Sequence, residues 1–199
     1  GAEVFEVIEQ APERLLEVPG IGKVRAGRIA QAWADQKVVR EIMVFLHSHG
    51  VGTARAVRIF KTYGNDAVQV MAENPYRLAR DIRGIGFRTA DAIANRLGIA
   101  ADAPIRLRAG LHYALLEATN DGHCGLPTAQ LLQLATALLT REEAGGTVIT
   151  PQPAQLAAAL ESELADSALV ADQLGEQAAI FLAHLHRGEA SIAESLLAL

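Results

Sequence analysis

The sequence predicts a mainly α-helical chain, with tandem helices joined by glycine hairpins in the first half and a small α+β domain in the second. Three observations predict it. One phrase occurs three times in the first hundred residues, as Gly20-Ile21-Gly22, Gly50-Val51-Gly52 and Gly84-Ile85-Gly86. Each copy has an alanine six residues after its first glycine (Ala26, Ala56, Ala90) and an isoleucine nine after (Ile29, Ile59, Ile93). Half of the 199 residues are apolar and only 5 % aromatic, and the Ala- and Leu-rich runs favour helices over sheets. Near the end, Ala168 to Asp172 and Ala178 to Ala183 flank Leu174-Gly175-Glu176, the pattern of a β-hairpin.

Apolar spacing and Gly or Pro punctuation place the elements in order. Helices are expected near 3–9, 12–18, 23–34, 37–49, 53–63, 65–73 and 87–97. Gly98 to Pro104 reads as a linker, which divides the chain into residues 1–103 and 104–199. A long amphipathic helix follows near 106–120, then a turn at Gly122-His123-Cys124-Gly125-Leu126-Pro127, and helices near 128–141 and 154–166. The hairpin comes next, and a last helix starts at about 188. Residues 64–78 repeat residues 1–15 at a constant offset of 63, for example Asn74-Pro75-Tyr76-Arg77-Leu78 against Ala11-Pro12-Glu13-Arg14-Leu15. The chain is therefore expected to begin inside a repeat, as a fragment with a tag scar at Gly1-Ala2 and another hairpin upstream.

Two glycines around one apolar residue turn tightly and let backbone approach a ligand, while the apolar residue holds the turn between helices. The unpaired amides and positive dipole end of the second helix then face one spot, which suits a phosphate oxygen. These segments resemble helix-hairpin-helix motifs, the sequence-independent DNA-backbone binders. The resemblance makes Gly20, Ile21, Gly22, Lys23 and Arg25 the best candidate phosphate site, with Arg28 on the same helix. Gly50, Gly52, Thr53 and Arg55, followed by Arg58 and Lys61, form the second. Gly84, Gly86 and Arg88 form a weaker third, because Phe87 stands where the first copy has Lys23; Arg83 keeps a further cation beside it.

Charge separates the two halves. Gly20 to Arg108 holds 15 Lys or Arg against 7 Asp or Glu, whereas from Leu111 onward there are 2 against 11, and the whole chain is −5. That asymmetry favours a nucleic-acid surface on the first half and opposes one on the second. The order of three helices and a late hairpin resembles a winged helix. Its candidate recognition helix carries Glu161, Glu163 and Asp166 with no Lys or Arg, so it reads as a structural or protein-contacting element.

Catalytic constellations are missing. No GxxxxGK[ST] loop occurs, and the paired glycines lie between helices rather than after a strand. His47, His49, His123 and Cys124 lack paired metal-ligand spacing, so no metal is expected; His47 and His49 read as a helix end. His112 reads as a partly buried, satisfied residue, His184 and His186 as one face of a strand, and Asp35 and Asp91 as solvated acids. One cysteine forms no internal disulfide and fits a reducing cytoplasm, and no apolar run reaches the roughly 18 residues of a membrane span.

Glu17 to Trp33, Phe45 to Arg58, the NPYRL string at 74–78, Ile82-Arg83-Gly84-Ile85-Gly86-Phe87-Arg88-Thr89-Ala90-Asp91 and Gly122 to Pro127 together resemble the amino-terminal region of RecD-like DNA helicases, the exodeoxyribonuclease V alpha-subunit family. The resemblance spans nearly the whole chain. It implies that this region precedes two RecA-like motor domains, which use ATP and Mg to move 5′ to 3′ along single-stranded DNA, with the ATP site beginning soon after Leu199. No cofactor is expected in the chain itself. Its implied partners are single-stranded or junction DNA, bound without sequence preference, and its own motor domains, with no membrane. Two rival readings are a helical protein-interaction scaffold and a hairpin-containing DNA glycosylase, which would need a catalytic acid in a base-sized pocket.

Overall fold

The computed structural model describes residues 2–142 and 146–198. Gly1, and with it the start of the expected scar and repeat, lies outside them. Packing divides the chain into two compact units, Gly1–Ile85 and Gly86–Leu199.

In the first unit, α1 (Ala2–Gln10) and a 3-10 turn (Pro12–Glu17) lead into α2 (Lys23–Ser48). A break was expected between residues 34 and 37; α2 instead runs unbroken for 26 residues. The polar stretch there contains no Gly or Pro, and Gln31 donates to the Asp35 carboxylate one turn on, at 2.7 Å. A 3-10 turn (Thr53–Arg55) opens α3 (Ala56–Tyr63), and another (Gly64–Asp66) opens α4 (Ala67–Glu73), before α5 (Arg77–Asp81). Ile42 and Leu46, one turn apart on α2, meet a core of Ala56, Ile59, Ala67 and Met71, each at most 1 % exposed. The Phe5 ring stacks on Trp33 at 4.5 Å and holds α1 to α2. Trp33 also donates to the Glu9 carboxylate at 3.0 Å.

The second unit begins with α6 (Phe87–Arg96), α7 (Pro104–Asn120), β1 (Gly125–Pro127) and α8 (Thr128–Leu139). Two-residue strands β2 (Arg141–Glu142) and β3 (Val148–Ile149) pair antiparallel, followed by α9 (Pro153–Ala165). Finally β4 (Leu169–Leu174), β5 (Gln177–Leu182) and α10 (Ala183–Leu197) complete it. The three-stranded sheet has the order β1-β5-β4, all antiparallel, with Leu126 opposite Ile180 and Asp172 opposite Ala179. Leu107, Leu111 and Leu115 form the buried stripe of α7, against Leu131, Ala135 and Leu139 of α8 and Leu156 and Leu160 of α9.

Packing places α6 with α7, so this compact unit starts inside the third hairpin, at Gly86. Two sequence expectations change within it. Phe87 tilts on Tyr113 with ring centres 5.9 Å apart, and Asp91 grips Arg106. Asp91 is therefore a paired, mostly buried acid and not a solvated one. The last helix starts at Ala183, so His184 and His186 lie on α10 rather than on a strand. His186 bonds the Asp172 carboxylate at 2.7 Å and holds that carboxyl below its usual pKa range. No helix among the described residues is long and apolar enough to cross a membrane.

Candidate nucleic-acid interface

The first hairpin is built from backbone geometry. Gly20 adopts φ +87°, a left-handed conformation that favours glycine, and the Ile21 amide closes the turn on the Val18 carbonyl at 3.1 Å. Gly22 caps α2 with no side-chain hydrogen bond, and the first helical bond returns from Ala26 to the Gly22 carbonyl. The amides of Lys23, Val24 and Arg25 thus have no partner within the helix, and no acid lies in that turn. Ala26 is 6 % exposed, which explains the alanine six residues on: its small side chain lets the helix pack close behind the turn. Gly22, Lys23, Val24, Arg25 and Arg28 line an open concavity of about 410 Å³. Arg25 reaches back to donate to the Gly20 carbonyl at 3.2 Å. Lys23 and Arg28 have no carboxylate within 4.0 Å among the described residues.

The second hairpin differs in kind. Gly50 (φ +70°) ends α2 in the double-bonded glycine cap, its amide on the His47 carbonyl and the Val51 amide on Leu46, both at 2.9 Å. Gly52 lies at φ −63°, ψ 137° and opens the 3-10 turn of Thr53–Arg55, again without a side-chain cap. Behind it Arg58 Nη1 donates to the Arg83 carbonyl at 2.5 Å. A Cβ built on Gly84 would lie 3.8 Å from Arg58 Nη1 and 3.9 Å from Arg55 Nε, so cations of the second repeat flank the turn residue of the third.

Residue by residue, the third hairpin copies the first. Gly84 has φ +88°, the Ile85 amide bonds the Ile82 carbonyl at 3.0 Å, and Gly86 lies at φ −90°, ψ 171° against φ −89°, ψ 173° for Gly22. Its surroundings differ. Ile85 is 4 % exposed. In the second unit the Tyr113 hydroxyl would lie 2.9 Å from a Cβ on Gly86, and the Phe87 amide bonds to its oxygen. Burial, followed by a bond to Glu117, pushes the Tyr113 pKa up. The helix start that is open at Gly22 is covered at Gly86, and Arg88 is exposed one residue beyond Phe87.

Elsewhere, Tyr63 bonds the Asp81 carboxylate at 2.9 Å, which Arg77 and Arg80 also engage. Arg108 joins α7 to α9 through Glu163, and through Asp166 at 2.5 Å, with His112 Nε2 3.8 Å from Glu163. His49 Nδ1 contacts the Phe45 carbonyl at 2.7 Å, while Cys124 contacts Glu189, which raises the thiol pKa. Among the described residues no three His, Cys, Asp or Glu side chains gather as metal ligands. Sequence reasoning missed Tyr113 and the Arg58 link to Arg83, because both depend on packing between elements distant in the chain.

Residues 35–125 match the family described as the ATP-dependent RecD2 DNA helicase HHH domain, and residues 2–35 match the SAM-like helix-hairpin-helix tandem. The whole chain is 33 % identical, over 209 aligned residues, to an ATP-dependent RecD2 DNA helicase of Deinococcus radiodurans and spans 28 % of that relative. These matches support an amino-terminal helix-hairpin-helix region of a RecD-like helicase.

Proposed function

We propose that the chain is the sequence-independent DNA-backbone grip of a RecD-like, ATP-dependent DNA helicase of recombination or repair. The observation that carries this reading is the open concavity at Gly22–Arg28, where free helix-start amides meet unpaired Lys23 and Arg28. A phosphate oxygen fits both: the amides supply directed donors, and the cations supply attraction without reading a base. Gly52, Thr53 and Arg55 offer a second contact at the other end of α2. In this reading residues 1–103 bind single-stranded or junction DNA in the cytoplasm. Residues 104–199, winged-helix-like in element order but acidic, connect the grip to a motor that uses ATP and Mg and moves 5′ to 3′.

The test is fluorescence anisotropy with labelled single-stranded, duplex and forked DNA over a range of salt. Affinity is expected to fall by about 0.9 log unit per duplex phosphate contact for each tenfold rise in salt. Lys23→Gln with Arg28→Gln should weaken binding on every sequence alike and reduce that slope by about two contacts. Absence of binding at low salt would overturn the grip and leave the repeats as a protein-contacting scaffold.

A further inference from the structure

The second and third repeats meet at one patch of positive charge that neither hairpin makes alone. Arg58 is pinned by its bond to the Arg83 carbonyl, which uses one of five guanidinium donors. Arg55 Nε and Arg58 Nη1 both lie within 3.9 Å of the same point above Gly84, so these two cations are within about 8 Å of each other. The exposed Arg83 leaves the chain at the residue whose carbonyl Arg58 holds. None of the three has a carboxylate within 4.0 Å among the described residues. Asp81, the nearest acid in sequence to Arg83, is already engaged by Tyr63, Arg77 and Arg80. Like charges held this close without a counter-ion repel, and an anion lodged between them relieves that repulsion.

We infer that Arg55 and Arg58, with Arg83 beside them, form one composite site for a doubly ionised phosphate, the terminal phosphomonoester of a nucleic-acid strand. The inference rests on reading this region as a DNA module, and it adds a preference for strand ends. A phosphomonoester carries −1.5 to −2 near neutral pH and three strong acceptor oxygens, whereas an internal phosphodiester carries one charge. Forked guanidinium groups match those oxygens by paired donors. An extra unit of negative charge about 4 Å from one cation in water-like surroundings corresponds to about fivefold in affinity.

The experiment compares short single-stranded oligonucleotides bearing a 5′-phosphate, a 3′-phosphate or hydroxyl ends. Alongside it, inorganic phosphate is titrated and read by the amide NMR shifts of residues 55, 58 and 84. A phosphorylated end should bind about five- to tenfold tighter, and Arg55→Gln and Arg58→Gln should each abolish that advantage. Arg55→Gln leaves the Arg58 bond intact and guards against a folding artefact in the other variant. Lys23→Gln should lower affinity for all three oligonucleotides while keeping the end preference. A gain from one end only assigns the polarity of the site. Equal affinity for all ends, or an advantage that survives Arg55→Gln, overturns the composite site while leaving the grip at Lys23 standing. If no oligonucleotide binds, the grip fails and inorganic phosphate decides the cluster: shifts confined to these residues support it, and none overturns it.

Discussion

Replacing Arg106 by Met should destabilise the second unit by about 3–5 kcal/mol. Arg106 sits on the first turn of α7 with its side chain 1 % exposed, and Asp91 on α6 is 16 % exposed. Nε and Nη2 hold the two carboxylate oxygens at 2.8 and 2.9 Å, and Nη1 donates to the Ala101 carbonyl at 3.0 Å in the segment between the helices. Methionine fills much of the volume of the arginine stem but removes both guanidinium bonds to the mostly buried Asp91 carboxylate and the one to the Ala101 carbonyl. With a urea slope of about 2 kcal/mol per M, the midpoint followed by circular dichroism should drop by roughly 1.5–2.5 M. The double variant Asp91→Leu with Arg106→Met removes both charges and should recover most of the loss. A single variant within about 1 kcal/mol of the parent, or a double variant no better than the single, would show that the pair is not coupled and would refute the reasoning.

Three further outcomes are expected. Gly110→Ala should cost roughly 1–2 kcal/mol in thermal or urea unfolding, since the new Cβ would lie 2.7 Å from Leu139 and overpacking outweighs the gain in helix propensity. Tyr113→Phe should lose about 1 kcal/mol by uncapping the Phe87 amide while leaving the salt dependence of DNA binding unchanged; a steeper slope would instead reveal a third phosphate site. The Glu9 carboxyl is held below its usual pKa by the Trp33 bond and then by Lys37, so its stabilisation is complete above the ordinary glutamate value of 4.5 and is lost as pH falls through the lower folded value. Trp33 fluorescence should report α1 loosening in that acid window, and Glu9→Gln should remove the pH dependence.

The hairpins were legible because glycine geometry is local. Gly20, Gly22, Gly84 and Gly86 take the conformations that the phrase Gly-Ile-Gly implies, and the alanines at 26, 56 and 90 are all buried. Likeness of phrase did not reveal likeness of structure. Gly50-Val51-Gly52 ends a long helix and starts a 3-10 turn, so the middle copy departs most in backbone, although the third departs most in charge. Continuity of α2 was hidden by polar residues at 35–37, where the absence of Gly and Pro was the better signal. The Asp91 partner lay 15 residues away across a linker, and Tyr113 lay farther still, so neither had a local signature.

An unbroken helix turns residue count into distance. The 26 residues of α2 rise about 39 Å between the first and second hairpins, and the phosphates of one duplex strand are spaced about 3.4 Å along its axis. A duplex lying with its axis along α2 would advance by about eleven phosphates of one strand between the two contacts. Removing one helical turn would shorten the interval by about 5.4 Å, or one and a half phosphates, so the shortest bivalent ligand should track the length of α2. The helix is in that sense a ruler, and its graduations are single residues.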